Sequence, residues 1–420
     1  MKLDTDVLVA GAGASGIPAA IQAARQGARV VLLEEDAMPG GAPVDNFVSF
    51  LCGGPRNGVY RETVERLNAD DDVHGIRVEN FDAGIRGEYW YMPSAYIGVS
   101  LRMLAEHPNI RLVCGVTADE VLLDDAPARH RVLGVAGRSS SGRRFEVRAK
   151  TTIDATGVGR LSELAGCETR YGRDARAEFG ESNAPETADG KTMPCTWMYI
   201  SQRVRPGPPP PTALPTRAGY VDTGLGWANE HPGPCRQRDS GIYLHWGSTV
   251  DCADTRDSFA LAEAQRAAWE KVQPDVEELR SRGFELHFAP RIGVRECRRV
   301  MGEHVITQHD LVEGRFPDDS IATCDYFLDL WGEALISRHV RVLAGIPYRA
   351  LVPRGVEGLL VAGKCISGTH VALSAYRVQP IVAAVGQAAG AAAALAAELS
   401  TGVRDLPVPQ VQAHCGFQFP

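Results

Sequence analysis

The sequence predicts an α/β protein whose main domain is a parallel sheet with helices packed against it. Three observations favour this class. A glycine-rich turn joins a short apolar segment to a helix in "DVLVAGAGASGIPAAIQAARQ", residues 6–26. A second apolar segment, "TTIDATG" at 151–157, ends in small residues, and a third, "GLLVAG" at 358–363, precedes a long helix of alanine and glycine. Apolar strands alternating with helices are typical of parallel sheets.

The first turn carries the pattern GxGxxG at Gly11, Gly13 and Gly16. The first glycine of such a pattern permits a tight turn, the second lets the backbone approach a pyrophosphate, and the third lets the helix pack closely on the strand. Ala14 and Ser15 lie between them, at a helix N-terminus whose free N–H groups and positive dipole attract phosphate. The turn therefore predicts a dinucleotide site.

Glu34 ends the next apolar segment, "RVVLLE", about 20 residues beyond the glycines, where an acid binds the ribose hydroxyls of a dinucleotide. An acid at this position disfavours a 2′-phosphate, so FAD or NAD is expected rather than NADP. Glu35, Gly40 and Gly41 follow within a few residues and are further candidates for contact with the cofactor.

The length of 420 residues predicts two domains or one elaborated domain. The hydrophobic and charged fractions, 44% and 23%, are those of a soluble globular protein. A net charge of −8 without a long Lys/Arg block argues against a nucleic-acid partner, so a small-molecule substrate is expected. The start, "MKLDTDVLVAGAGASG", has early acidic residues and no cleavage site, so no secretory signal is expected.

The ten cysteines are scattered, without CxxC or clustered Cys/His spacing, so no metal site is expected. Free buried thiols suit a reducing, cytoplasmic location. The uncharged stretch 378–397 has the length of a membrane span. Its alanines and glycines supply little hydrophobicity, however, and we expect a buried helix against the sheet and no membrane contact.

Together the glycine turn, the "DATG" ending at Ala155, Thr156 and Gly157, and the segment "GLLVAGKCISGTHVALSAYRVQP" resemble the FAD-dependent oxidoreductases with a glutathione-reductase-like FAD domain. The segments "RIGVRECRRVMGEHVITQHDLVEGRFPDDSIATCDYFLDLW" and "IPYRALVP" are similar to one branch, related to fumarate reductase and heterodisulfide reductase flavoproteins. The resemblance covers most of the chain and is weakest over residues 172–285. Where members of this branch often have a histidine after the aspartate of "YFLDLW", this chain has Leu330 and Trp331.

The resemblance implies a Rossmann-like FAD-binding domain, with a parallel sheet, helices and a β-meander, in which Thr156 and Gly157 close over FAD. It implies that Gly363 opens a loop to the flavin. It also implies that the final helix, which begins near Val378 and Pro380, directs its N-terminus at the flavin ring. A helix dipole there would stabilise reduced flavin by roughly 0.3–1 kcal/mol.

The FAD domain is expected to be discontinuous, formed by residues 1–55, 94–166 and 345–400. Residues 56–93 and 167–344 form the predicted inserted α+β substrate cap, and 401–420 a C-terminal tail. Within the cap, the proline-rich "VRPGPPPPTALPT" at 204–216 is predicted to be a surface loop or linker.

The stretch "SGTHVALSAYRVQP" contains two candidate catalytic residues, because the resemblance puts the loop after the last strand at the flavin face. His370 is a candidate base or a polar contact to the flavin, with a satisfied structural histidine as the alternative. Arg377 is a candidate anchor for an anionic substrate or a flavin carbonyl, or it pairs within the cap. Tyr376 is expected to pack.

The charged segment "RIGVRECRR", residues 291–299, provides a third candidate. Such a run is normally a solvated face. As a strand it would place Arg291, Arg295 and Cys297 on one face and Glu296 on the other. The resemblance implies that Arg295 and Glu296 face inward, and that Arg295 contacts substrate or flavin.

These features predict a flavin-dependent dehydrogenase or oxidase that transfers hydride from a small organic substrate to N5 of FAD. One alternative is an FAD-dependent monooxygenase using NAD(P)H and O2, although its usual "GDAxH" is replaced here by "GKCISGTH". Another is a non-catalytic flavin-fold binding protein, although every cofactor motif is intact. The sequence leaves open the substrate, the electron acceptor, covalent attachment of the flavin and the oligomeric state.

Overall fold

The computed structural model describes residues 1–69, 90–124, 130–208, 241–331 and 340–419. Most of the predicted proline-rich loop, and part of the predicted cap segment 56–93, lie outside the described residues.

The strands of the described residues, in chain order, are β1 (Lys2–Ala10), β2 (Val30–Glu34), β3 (Ile110–Cys114), β4 (Val116–Leu123), β5 (His130–Ser139), β6 (Arg144–Asp154), β7 (Thr169–Arg170), β8 (Cys195–Arg203), β9 (Ile242–Val250), β10 (Phe284–Phe288), β11 (Arg299–Val300), β12 (Ser320–Phe327), β13 (Arg341–Pro347), β14 (Val356–Glu357) and β15 (Leu359–Val361). The helices are α1 (Gly16–Arg25), α2 (Ala42–Asp45), α3 (Gly58–Ala69), α4 (Pro93–Ala105), α5 (Arg160–Leu164), α6 (Arg176–Phe179), α7 (Ser258–Ser281), α8 (Gln308–Val312), α9 (His370–Tyr376), α10 (Gln379–Leu399) and α11 (Val408–Cys415). Two short 3-10 helices cover Tyr348–Leu351 and Val403–Asp405.

The largest sheet has eight strands and is mostly parallel. Strand β1 pairs in parallel with β2 on one side and β6 on the other, and β3 and β15 extend these pairings in parallel. Strands β4, β5 and β6 run antiparallel in succession, as a meander. The α/β class predicted from the sequence is therefore confirmed, and the glycine turn lies at the carboxyl end of β1, where parallel sheets bind their ligands.

Helix α10 packs against α1 so closely that its glycines are required. A Cβ on Gly386 would lie 2.0 Å from the carbonyl oxygen of Ser15, and one on Gly390 would lie 2.1 Å from that of Ala19. The alanine and glycine composition is thus explained by close contact between two helices. Among the described residues, α10 is the helix long and apolar enough to cross a membrane, but 94% of its most apolar window is buried inside the fold.

A second sheet, antiparallel and three-stranded, has the order β10–β8–β9 and packs against α7. Asp257 caps α7 by accepting hydrogen bonds from the backbone N–H groups of Phe259 and Ala260. The contact between the helix and the sheet buries a separate apolar cluster formed by Tyr199, Tyr243, Val272, Val276, Leu279 and Phe284. This unit lies within the segment predicted to form the substrate cap.

Two local expectations were wrong. The segment 291–298 is not a regular strand: Gly293 forms an isolated antiparallel bridge with Thr196, and Arg299–Val300 pairs with β7, so strict alternation of side chains does not apply. The stretch that contains His370 is not a loop but the short helix α9. Thr369 caps it through a hydrogen bond from the Ala372 N–H to the threonine hydroxyl, which explains why a helix begins there.

Candidate active site

The glycine turn after β1 is formed by backbone segments in direct contact. A Cβ on Gly11, whose φ is +100°, would lie 2.4 Å from the carbonyl oxygen of Ala155, and one on Gly16 would lie 1.7 Å from that of Gly11. These two glycines are needed for the fold itself. A Cβ on Gly13 would meet only the Cα of Gly41, at an ordinary 3.6 Å. The space beside Gly13 is therefore open in the protein alone.

Several backbone N–H groups at this turn are available to a ligand. In the described part of the chain, those of Gly13, Ala14 and Ser15 make no hydrogen bond. Gly363, at the end of β15, approaches the same turn, since its added Cβ would lie 2.9 Å from the hydroxyl of Ser15. Gly40 is held there by a 2.8 Å bond from its N–H to the Ala12 carbonyl. Free N–H groups beside an open glycine at the start of a helix fit a pyrophosphate.

Glu34 lies at the end of β2 and faces the turn. Its carboxylate accepts hydrogen bonds from the N–H of Ala12 at 2.6 Å and of Asp36 at 3.0 Å. Burial raises its pKa, which these two bonds partly offset. Glu35 points elsewhere, to a surface ion pair with Arg291 at 2.9 Å. Of the two glutamates, Glu34 is the one that the fold places at the dinucleotide turn.

The "ATG" turn after β6 is organised by Asp154, which the sequence analysis did not single out. This fully buried carboxylate accepts hydrogen bonds from the hydroxyls of Thr156 and Ser162, at 2.7 and 2.8 Å, and from both of their backbone N–H groups. The turn brings Gly157 to the cofactor side, with φ +72°.

Lys364 links the dinucleotide turn to the rest of the site. Its Cε lies 3.9 Å from the position of a Cβ on Gly157, and its ammonium group donates a 2.6 Å hydrogen bond to the carbonyl of Val294. Burial lowers its pKa. Val294 immediately precedes Arg295, so one side chain joins the nucleotide turn to the charged segment.

Arg295 belongs to a group that we name the Arg–Trp cluster, formed by Arg295, Asp329, Trp331 and Arg377. The Arg295 guanidinium lies 4.2 Å from the centroid of the Trp331 ring and donates to the Pro194 carbonyl at 2.6 Å. Asp329 accepts hydrogen bonds from Trp331 Nε1 at 2.9 Å and from Arg377 Nη2 at 2.8 Å. Burial and then the charge of Arg377 lower the pKa of Arg295 to about 9, so it remains a cation at neutral pH.

Aromatic side chains continue from this cluster. The ring of Trp246 lies 6.3 Å from that of Trp331 and 4.5 Å from that of Phe50. Tyr326 lies nearby, close to the thiol of Cys52, whose pKa burial raises to about 11. All four aromatic side chains are only partly buried. The ion pair of Arg377 and Asp329, flanked by partly exposed aromatic rings, is suited to a small organic ligand.

His370 belongs to a second, separate group, which we name the His–Glu network: His370, Glu296, Arg299 and Asp174. Arg299 is 0% exposed and donates to Glu296 at 2.7 Å and to Asp174 at 3.0 Å. Asp174 also accepts a 2.9 Å bond from the backbone N–H of His370. The consecutive residues Arg295 and Glu296 thus enter two different clusters.

The imidazole of His370 is held on one side only. Its Nδ1 lies 2.8 Å from a carboxylate oxygen of Glu296, whereas its Nε2 is buried and has no hydrogen-bond partner in the described structure. Burial of Glu296 opposes ionisation, but His370 and Arg299 outweigh that effect and lower its pKa. The carboxylate is therefore charged and orients the ring.

The fold thus brings together most of the residues predicted for the cofactor, and it separates Arg295 and Arg377 from His370. Val378 is the N-cap residue of α10, without a side-chain capping bond, and a Cβ on Gly53 would lie 2.6 Å from its Cγ2. Sequence reasoning missed Asp154, Lys364, Trp331 and Asp174. Of these, Lys364 had a visible signal, as a lysine directly after the glycine of the last strand. Among the residues that the structure describes, no group of three or more His, Cys, Asp or Glu side chains is placed to hold a metal ion.

A family model described as FAD dependent oxidoreductase matches residues 6–415. No curated protein matches the sequence. Solved structures similar to this chain include a geranylgeranyl bacteriochlorophyll reductase-like protein from Thermoplasma acidophilum, with 15% identity, 99% of this chain and 83% of that chain covered, and a TM-score of 0.45. The OxyS anhydrotetracycline hydroxylase from Streptomyces rimosus has 16% identity, coverage of 99% and 65%, and a TM-score of 0.44. CabE, an aromatic hydroxylase from angucycline biosynthesis, has 16% identity, coverage of 98% and 65%, and a TM-score of 0.48. At these values the similarities say nothing about reaction or substrate.

Proposed function

Since the chain belongs to the family of FAD dependent oxidoreductases, it is an enzyme that uses FAD, and we propose that it is a dehydrogenase or oxidase of a small organic molecule. We further propose that it lies in the branch related to fumarate reductase and heterodisulfide reductase flavoproteins. The free thiols of all cysteines among the described residues support a reducing, cytoplasmic location.

The observation that carries this proposal is the path of contacts from the cofactor turn to the Arg–Trp cluster. Gly157 approaches Lys364, Lys364 is bonded to Val294, and Arg295 follows in the chain. An organic molecule held by that cluster would therefore lie beside a cofactor held at the turn. Proximity of donor and cofactor is what a flavin enzyme chiefly requires of its protein.

FAD, when bound, supplies a two-electron acceptor that takes a hydride at N5. Loss of hydride from a substrate carbon leaves one proton to be removed from the neighbouring O–H or N–H group. His370 is our proposed acceptor for it, at Nε2, and Glu296 would stabilise the imidazolium formed. Because the side chains of His370 and Glu296 are buried, the substrate must reach Nε2 directly or through a bridging water molecule.

The monooxygenase alternative requires NAD(P)H in addition to FAD. The described residues contain one glycine-rich dinucleotide turn on a parallel sheet, and their other sheets are small and antiparallel. Within the described residues, this argues against a second, separate dinucleotide-binding domain for NAD(P)H.

Anaerobic mixing of the FAD-loaded protein with a panel of small organic donors tests the proposal. We expect at least one donor to bleach the visible absorption band of the flavin without NAD(P)H. The electron acceptor is then found by admitting oxygen or an artificial dye. Flavin reduction by NADH or NADPH alone, followed by oxygenation of an added compound, would instead establish a monooxygenase.

A further inference from the structure

We infer that the Arg–Trp cluster binds a small carboxylate carrying a flat aromatic ring. That this ligand is the substrate rests on the proposed function, but that the cluster binds it does not.

The charge of the cluster is the first reason. Two guanidinium groups, of Arg295 and Arg377, face a single carboxylate, that of Asp329, which bonds directly to Arg377. The partners of Arg295 are neutral: the Pro194 carbonyl and the Thr196 hydroxyl, each at 2.6 Å. The cluster therefore has an excess of positive charge, in surroundings that are partly desolvated, and Lys364 adds a further basic group beside Val294. An anion balances this excess, and Asp329 disfavours a second negative charge close to Arg377.

Unused hydrogen-bond donors are the second reason. The Nε of Arg377 is buried and has no partner in the described part of the chain. Arg295 uses only Nη1 there, so its remaining donors are available. The two oxygens of a planar carboxylate match the fork of a guanidinium, which favours a carboxylate over an ammonium or a neutral amide.

The neighbouring rings are the third reason. Trp331 lies beneath the Arg295 guanidinium, and Trp246 and Phe50 continue the apolar surface at centroid distances of 6.3 and 4.5 Å. These side chains, although large and apolar, keep part of their surface accessible. A ligand whose carboxylate meets Arg295 would place its next atoms against indole faces. Offset stacking on such faces favours a flat aromatic ring over an aliphatic chain.

The probe for this site is benzoate, titrated into the FAD-loaded protein and followed by calorimetry and by the flavin difference spectrum. We expect saturable binding. Benzamide, which has the ring without the charge, and cyclohexanecarboxylate, which has the charge without the flat ring, should each bind roughly tenfold or more weakly. Inorganic phosphate should not compete. Equal binding of benzoate and benzamide, or displacement of benzoate by phosphate, would overturn the inference.

Substitutions locate the site. Arg295→Gln should weaken benzoate binding roughly 10- to 100-fold and leave benzamide binding and FAD content unchanged. Arg298→Gln is the matched control, since Arg298 lies three residues away and pairs with Glu163 at 2.8 Å; it should bind benzoate like the wild type. If Arg295→Gln fails to fold, Trp331→Leu should weaken benzoate binding severalfold more than it weakens cyclohexanecarboxylate binding.

If the variant that folds binds benzoate with the wild-type affinity, this assignment of the site is refuted. Because these are binding measurements, they remain informative if no donor reduces the flavin. Conversely, flavin reduction only by donors without a carboxylate would support the proposed function and show that the ligand of the Arg–Trp cluster is not the substrate.

Discussion

The Nδ1 atom of His370 lies 2.8 Å from Oε2 of Glu296, with both side chains buried. Since Arg299 holds the other carboxylate oxygen of Glu296 at 2.7 Å, the carboxylate has little freedom to turn away. A charged carboxylate at this position favours a proton on Nδ1, which leaves Nε2 as a lone-pair acceptor. In the neutral ring, the pairing therefore selects the tautomer whose Nε2 can accept a proton.

His370→Gln is expected to lower turnover about 10²- to 10⁴-fold, the usual contribution of a general base, while the bound FAD per protein stays at the wild-type level. The measurement is flavin reduction by the donor found in the anaerobic screen, recorded across pH. His287→Gln, an exposed histidine of β10, is the control and should behave as the wild type. If the His370→Gln variant turns over at the wild-type rate, the role of His370 is structural.

The cofactor half of the site could be predicted from the sequence because its requirements are local. Gly11, Gly13 and Gly16 lie within six residues. Gly11 and Gly16 reflect backbone contacts that exclude a side chain, whereas Gly13 leaves the space beside the turn open. The Arg–Trp cluster could not be predicted, because Arg295, Trp331 and Arg377 are distant in the chain and are brought together by tertiary packing. Likewise Arg299 bonds to Asp174 across a separation of 125 residues, which no periodicity encodes. The sequence indicated Arg295 and Arg377 separately, from the segment 291–299 and from the stretch before the last helix, without placing them together.

Gly13→Ala should separate cofactor binding from folding. Its added Cβ would lie 3.6 Å from the Cα of Gly41, an ordinary contact, so the unfolding free energy of the FAD-free protein should be nearly unchanged. The same methyl group would occupy the space beside the free N–H groups, and FAD should bind roughly 10- to 100-fold more weakly. Fluorescence titration with FAD and urea unfolding measure the two effects. Gly11→Ala, with its 2.4 Å clash on Ala155, should lose stability as well.

Asp45 should make the FAD-free protein less stable as pH rises. Burial, followed by the charges of Asp36 and Glu34, raises the pKa of Asp45 to about 7 from its ordinary 3.8. The folded protein thus prefers protonated Asp45, so its contribution to stability is full below about pH 4 and is lost as pH rises through about 7. Because Asp45 is partly exposed, solvent screening limits the effect to about 1–2 kcal/mol.

Asp45→Asn is neutral at every pH and should show a flatter dependence of unfolding free energy between acid and neutral pH. Urea unfolding of the FAD-free protein on both sides of neutrality measures it. Asp318→Asn, which removes an exposed carboxylate elsewhere, should leave the wild-type dependence in place. If the unfolding free energy of Asp45→Asn depends on pH as steeply as that of the wild type, other groups cause the dependence.

Gly386→Ala should destabilise the protein although alanine is the better helix former. Its Cβ would lie 2.0 Å from the carbonyl oxygen of Ser15, a backbone atom that cannot rotate away. Separating α10 from α1 should cost about 1–3 kcal/mol and also weaken FAD binding, since Ser15 belongs to the cofactor turn. Gly98→Ala is the matched control, because Gly98 lies in α4 with nothing within 4 Å of its added Cβ. It should stabilise by up to about 1 kcal/mol. Urea unfolding measures both free energies. If both substitutions change the unfolding free energy in the same direction, the close packing of α10 on α1 is contradicted.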